Sequence, residues 1–154
     1  MDTHEFFHER GGARLFVAER GGGRPLIFLH GGVADHRAAL VHVGALADRL
    51  RVITPDLRGS GRSHHGGPLT WDDLADDVAA LCDRLGLARA VVGGVSMGSG
   101  VALRVALRHP ARVAGLALVW PAFAGSALGH DAAQVAAMRA IEAHAVRAQA
   151  EGIG

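Results

Sequence analysis

The chain has 154 residues, 49% of them hydrophobic and 20% charged, which is enough apolar material for one globular domain and too much for a disordered or collagen-like segment. Sixteen basic residues, every one arginine, stand against fifteen acidic ones; that balance gives no bulk-charge attraction to nucleic acid or a membrane surface, and without lysine there is no Walker A phosphate loop and no Schiff-base amine. The single cysteine, Cys82, has no internal disulfide partner, the start MDTHEFFHERGG lacks the regions of a signal peptide, and no apolar run reaches the ~18–20 residues that span a bilayer, so a cytoplasmic setting is expected.

In chain order, two polar-apolar stretches, Glu5–Arg10 and Arg14–Glu19, flank Gly11-Gly12 and predict a hairpin. The apolar run Pro25–Leu29 that follows predicts a buried strand stopping at His30-Gly31-Gly32. A helix is predicted over Asp35–Leu50, with Asp35 as N-cap and Leu40, Val43, Leu46, Ala47 and Leu50 on one face. Arg51–Asp56 is the next short strand. Thr70–Gly86 predicts a second helix, opened by Thr70 and Asp73 as a capping box and striped by Trp71, Leu74, Val78, Leu81 and Leu85, with Cys82 beside the stripe as a buried thiol. Ala90–Val95 is a third buried strand, leading through a glycine-rich turn into a helix, Met97–His109, stopped by Pro110. Val113–Trp120 is a fourth apolar strand. After a Gly/Ala-rich passage, Ala122–Gly129, a final amphipathic helix is predicted over Asp131–Ala150, with Asp131 and Gln134 as its capping box and Val135, Met138, Ile141, Ala145 and Val146 as its stripe. Strands alternating with helices at this spacing predict a parallel α/β sheet.

Three loops at strand ends carry the chemistry. In Gly93-Gly94-Val95-Ser96-Met97-Gly98, a strand ends and a helix begins around a GxSxG pattern formed by Gly94, Ser96 and Gly98. A serine on so tight a turn has a strained backbone, and the residues two before and two after it approach so closely that only small side chains fit. The turn lifts the Ser96 hydroxyl clear of the sheet and aims the Met97 amide, at the positive end of the helix, toward an oxyanion formed there. A nucleotide-binding GxGxxG is excluded, since a frame starting at Gly93 puts Val95 where its second glycine belongs. At His30-Gly31-Gly32 the Gly32 amide, or alternatively that of Val33, would be a second donor, and His30 itself a structural loop histidine. In Asp56-Leu57-Arg58-Gly59-Ser60-Gly61-Arg62-Ser63, Asp56 and Arg58 are expected to tie down backbone and charge rather than bind phosphate. The neighbouring His64-His65 pair is expected in a solvated loop, without the convergent ligands a metal needs.

Strand-HGG, strand-DLRGSGRS, strand-GVSMGSG and ALRHPARVAGLALVWPA resemble, in order and spacing, the α/β-hydrolase superfamily, particularly its bacterial esterase, lactonase and haloperoxidase-like members. The resemblance runs from the N-terminal hairpin to Pro121. It implies an α/β fold with a mostly parallel sheet and an N-terminal antiparallel hairpin, a Ser-acid-His triad, a two-amide oxyanion hole and a cap over the pocket. Residue by residue it implies Ser96 as nucleophile, Gly94 and Gly98 as the elbow glycines, and the amides of Gly32 and Met97 as the hole. The substrate implied is a small ester, lactone or similar acyl compound, processed through an acyl-enzyme with no cofactor and no metal.

In the family the triad runs Ser, acid, His along the chain. Here the loop after Val119-Trp120 carries Pro121, Ala122 and Phe123 and no carboxylate, Asp131 reads as a helix N-cap, and His130 and His144 lie at the start and inside the last predicted helix. Triad acid and base are therefore not identifiable. The resemblance covers the N-terminal portion of the fold, with residues 1–125 as core and 126–154 as the start of a cap, and lacks the last two strands. A non-catalytic α/β domain or interaction module that keeps the elbow as an inherited turn is the alternative. In either case Val113–Trp120 would be a sheet edge open to self-association.

Overall fold

Gly11 and Gly12 both take left-handed backbone (φ 53° and 77°), the geometry a two-residue turn needs to match strand twist. β1 (His4–Arg10) thereby folds back on β2 (Ala13–Arg20), with Arg10 opposite Ala13 and His4 opposite Glu19. The computed structural model describes residues 2–67 and 69–121. After the hairpin come β3 (Arg24–Leu29), α1 (His36–Val43), β4 (Leu50–Pro55), the two-residue β5 (His64–His65), α2 (Trp71–Arg84), β6 (Ala90–Val95), α3 (Met97–Arg108) and β7 (Val113–Val119). No helix among the described residues is long and apolar enough to cross a membrane. The predicted helix Asp131–Ala150, the passage Ala122–Gly129, His130, His144 and the boundary at residue 125 lie outside the described residues.

The strands form one mixed sheet in the order β1-β2-β4-β3-β6-β7, with β5 added beside β2. The hairpin and its join to β4 are antiparallel, and β4, β3, β6 and β7 are parallel. Alternation along each strand divides the core. Leu26, Phe28 and Val52 pack with Ala39, Val43 and Ala47 on one face. Val17, Ile27, Leu29, Ile53 and Val92 pack with Leu74, Val78 and Leu81 of α2 and Val101 and Val105 of α3 on the other. From β3 the chain crosses through α1 to β4 on one side, then through α2 to β6 on the other. The carboxyl ends of β3 and β6 therefore form the crevice where the strand order reverses.

The α2 ends are as the sequence predicts. Thr70 Oγ1 accepts from the Asp73 amide (3.1 Å) while the Asp73 carboxylate accepts from the Thr70 amide (3.2 Å). At the other end Gly86 is left-handed (φ 65°), with Leu87 N donating to Cys82 O (2.9 Å) and Gly86 N to Asp83 O (3.1 Å), a Schellman closure. Cys82 is fully buried and its thiol is pushed up by that burial, as an inert core residue should be.

Two expectations need correction. The helix read over Asp35–Leu50 is capped by Asp35 as predicted, but α1 stops at Val43, which leaves the helical region (φ −123°, ψ −3°). A tight 3-10 turn over Gly44–Asp48 then reverses the chain, so Leu50 opens β4 and Leu46 is exposed. His64-His65 is not a solvated loop but a short strand, His65 opposite Ala13 and His64 opposite Arg14. Ser63 causes this: its Oγ accepts from Phe16 N (2.8 Å) and donates to Asp56 O (2.7 Å), which lays the chain along β2.

Candidate active site

Among the described residues three non-glycine residues have left-handed backbone: Val33 (φ 54°), Ser96 (φ 52°) and Trp120 (φ 44°). They follow β3, β6 and β7, adjacent strands, and so lie at one carboxyl edge of the sheet. Strain of this kind persists only where the surroundings over-determine it. At Ser96 the surroundings can be named. Its amide donates to Val119 O (3.0 Å), and its carbonyl accepts from Ser99 N (3.0 Å), starting α3. Ser99, fully buried, donates its hydroxyl to Gly94 O (2.6 Å) and accepts from Val119 N (3.2 Å), tying the end of β6 to the end of β7.

The flanking glycines are sterically required. A Cβ on Gly94 would lie 2.4 Å from the carbonyl carbon of Gly98, and a Cβ on Gly98 would lie 2.3 Å from Leu29 O and 2.6 Å from His30 O. Helix α3 thus enters so close to β6 and to the end of β3 that no side chain fits between. The loop after β3 crosses the same turn: a Cβ on Gly31 would be 3.6 Å from Ser96 Cβ, and one on Gly32 3.9 Å from Met97 Sδ. The structure accordingly brings the His30-Gly31-Gly32 loop against Ser96 and Met97.

His30 is a loop histidine, as expected, and its bonding is complete. The ring is fully buried, Nε2 accepts from Leu57 N (2.9 Å) and Nδ1 lies 2.7 Å from Gly31 O. A backbone amide can only donate, so the proton sits on Nδ1 and goes to Gly31 O. Burial, first among the influences, lowers the pKa of this imidazole. Asp56 is also fully buried and anchors loops: Oδ1 accepts from His36 N (2.6 Å) and His36 Nδ1 (2.8 Å), and Oδ2 from Arg62 N (2.8 Å). Gly61 leaves it room, since a Cβ there would sit 2.2 Å from Asp56 Oδ2. Arg58 makes a fork to Asp77 of α2, Nε to Oδ2 at 2.6 Å and Nη2 to Oδ1 at 2.8 Å, with both side chains 5% exposed. That pair fills the role expected of Arg58 and removes its guanidinium from phosphate binding.

Sequence reasoning missed His36, whose only signal is an imidazole one residue after a helix N-cap. Together with Asp35 and Asp56 it puts three ligand-type atoms within 4.8 Å of one another. The oxygens are already engaged: those of Asp56 as above, and those of Asp35 by the Arg37 amide (2.8 Å) and guanidinium (2.6 Å). The cluster is a hydrogen-bonded corner rather than a set of open metal ligands. No histidine among the described residues hydrogen-bonds Ser96 Oγ. His36 turns its ring to Phe16 of β2 (centroids 4.7 Å apart), and His109 binds Asp76 at the far end of α3, about 18 Å of helix from Met97.

Residues 24–141 match a family model described as the alpha/beta hydrolase fold. The chain is 41% identical over 97 residues to the AB hydrolase superfamily protein YisY of Bacillus subtilis, covering 62% of this chain and 36% of that protein. Among solved structures it is similar to a serine hydrolase from the polyaromatic-hydrocarbon-degrading bacterium Cycloclasticus zankles (TM-score 0.75, 26% identity, 82% of this chain and 48% of that one). It is also similar to a thermophilic esterase from Thermogutta terrifontis (TM-score 0.67, 36% identity, 77% of this chain and 45% of that one). The chain spans between a third and two fifths of the length of the first curated relatives it matches.

Proposed function

The chain belongs to the alpha/beta hydrolase fold family, and from that premise we propose that Ser96 is the nucleophile of a serine hydrolase acting on a small ester, lactone or similar acyl substrate. The observation that carries the reading is the left-handed Ser96 turn, clamped between Gly94 and Gly98 at the crevice where the strand order reverses. In this mechanism Ser96 Oγ attacks the acyl carbonyl and its proton passes to a base. The Gly32 and Met97 amides hold the resulting oxyanion, collapse expels the alcohol, and water then releases the acid from the acyl-enzyme. The names serine hydrolase and esterase on two structural neighbours support acyl chemistry. A missing base costs on the order of a million-fold in turnover, and no imidazole among the described residues bonds Ser96 Oγ, so p-nitrophenyl ester hydrolysis by this chain is expected only at a trace rate.

Selective covalent labelling tests the attack step alone, without needing release of an acyl group. A fluorophosphonate is attacked by a serine Oγ at phosphorus, fluoride leaves and a mass tag remains; at alkaline pH and long incubation hydroxide takes the hydroxyl proton, so slow labelling needs no base from the described residues. The tag is expected on Ser96 and not on Ser60, Ser63 or Ser99, and Ser96→Ala is expected to abolish it. Tagging of other serines, or an Ala variant that labels as before, overturns the nucleophile assignment and favours the non-catalytic module.

Self-association belongs to the same reading. Among the described residues β7 (VAGLALV) pairs only with β6, carries no charge, and exposes Leu116 and Leu118, whereas the opposite edge strand β1 (HEFFHER) is charged. We propose that β7 pairs with the β7 of a second copy.

A further inference from the structure

We infer that a buried relay from Asp77 through Arg58, Leu57 and His30 holds the Gly31-Gly32 loop over the Ser96 turn, which makes Arg58 and Asp77 positioning residues for the oxyanion-binding amide of Gly32. The inference rests on the serine-hydrolase reading for its functional meaning, but its geometry stands separately. Among the described residues, neither Gly31, Gly32 nor Val33 makes a backbone-backbone hydrogen bond outside the regular elements; the hydrogen bond that reaches this loop is the one from His30 Nδ1 to Gly31 O (2.7 Å). Whatever orients His30 therefore orients the loop.

His30 is oriented by Leu57 N, and the Leu57 peptide lies between two immobilised neighbours. On one side Asp56 N donates to Phe16 O (2.9 Å) while the Asp56 carboxylate accepts from His36 N and Arg62 N. On the other side Arg58 is locked by its two-pronged bond to Asp77 and by Nη2 donating to Arg10 O (3.2 Å). A guanidinium fork fixes direction as well as distance, which a lysine cannot do. Asp77 itself is 4% exposed on α2, and Arg10 Nη1 donates to its Oδ1 (3.1 Å), so the far end of the relay is set by the packing of α2 against the hairpin.

The chemistry of the links gives the relay direction. Leu57 N can only donate, so His30 must be the neutral tautomer with its proton on Nδ1, and that proton must go to Gly31 O. Protonating Nε2 would set two N–H groups against each other and release Leu57. The charged groups around the ring are Asp56 and Asp35, which favour the protonated form, and His36, which opposes it; desolvation outweighs them and keeps the ring neutral.

The test uses the fluorophosphonate labelling rate of Ser96 together with nitrogen NMR of the His30 ring. In Asp77→Asn and Arg58→Lys, measured well below each variant's melting temperature, the rate is expected to fall about 10- to 100-fold, below the ~10²–10³ cost of deleting an oxyanion donor outright. His30 is expected to lose its single Nδ1–H tautomer in the same variants. Variants that stay folded and label at the wild-type rate, or that slow while His30 keeps its tautomer, overturn the relay. Should those variants not fold, the unaltered chain decides: on acidification the His30 ring signal and the Gly32 amide signal are expected to titrate together, and separate titration overturns the relay. A wild-type chain in which Ser96 does not label removes the hydrolase reading alone, since the tautomer and co-titration measurements still judge the relay.

Discussion

Gly98→Ala separates two physical effects that predict opposite signs. Gly98 lies in the first turn of α3, where alanine exceeds glycine in helix propensity by about 1 kcal/mol, so local preference alone predicts stabilisation. The contacts predict the reverse. The new Cβ would sit 2.3 Å from Leu29 O and 2.6 Å from His30 O, about 1 Å inside ordinary contact at ~3.5 Å. Those oxygens are backbone at the end of a central strand with fully buried neighbours, so neither rotates away. Overpacking of this kind costs about 1–3 kcal/mol, and the rigid partners put the expected loss at the upper end. Gly31→Ala is the internal control: its nearest neighbour would be Val95 O at 3.5 Å, and a change within about 0.5 kcal/mol is expected. Urea unfolding followed by far-ultraviolet circular dichroism reads both. With a slope of about 1–3 kcal/mol per molar, Gly98→Ala is expected to lower the midpoint by roughly 1 M. A midpoint unchanged or raised in Gly98→Ala, or lowered equally in both variants, would refute the steric account of the elbow.

Two further outcomes follow from the ion pairs and the sheet edge. Arg108 first, then His109 and Arg10, hold the Asp76 carboxyl down from 3.8 to about 2; a depressed acid stabilises the fold above its unfolded value and loses that contribution as pH falls through the folded one. The urea midpoint is therefore expected to drop between about pH 4 and 2, and Asp76→Asn to flatten that segment; an equally steep acid limb in the variant would exclude Asp76 as its source. Leu118→Lys, which puts a charge on the uncharged β7 edge, is expected to shift sedimentation toward monomer more than a charge on the exposed face of α2, and a wild-type chain already monomeric at high concentration would dispose of β7 pairing.

Periodicity and turn chemistry made the alternating elements legible. Gly11-Gly12 marked the hairpin, Thr70 and Asp73 opened α2, Gly86 closed it, and the alternation of Leu26, Ile27, Phe28 and Leu29 placed β3 between two cores. The elbow was legible because its glycines answer to contacts inside one short segment. Leu50 misled because an apolar residue at helical spacing fits a strand start equally well, and the 3-10 turn that separates the two depends on backbone angles that hydrophobicity does not encode. The His64-His65 strand was hidden for another reason: it exists through Ser63, whose partner Phe16 lies 47 residues away. His36 on Asp56 and His30 on Leu57 are likewise pairings across 20 and 27 residues, which only the assembled sheet discloses.

The Ser99 hydroxyl and the Ser96 amide both terminate on Val119, so the Ser96 turn and the last described strand share a single fastening. A strained backbone angle is a stretched spring, and its anchorage here is not β6 alone but a neighbour that has no further strand beyond it among the described residues. The strained angle at Ser96 is thereby fastened to β7 as well as to β6, the strand that Ser96 ends.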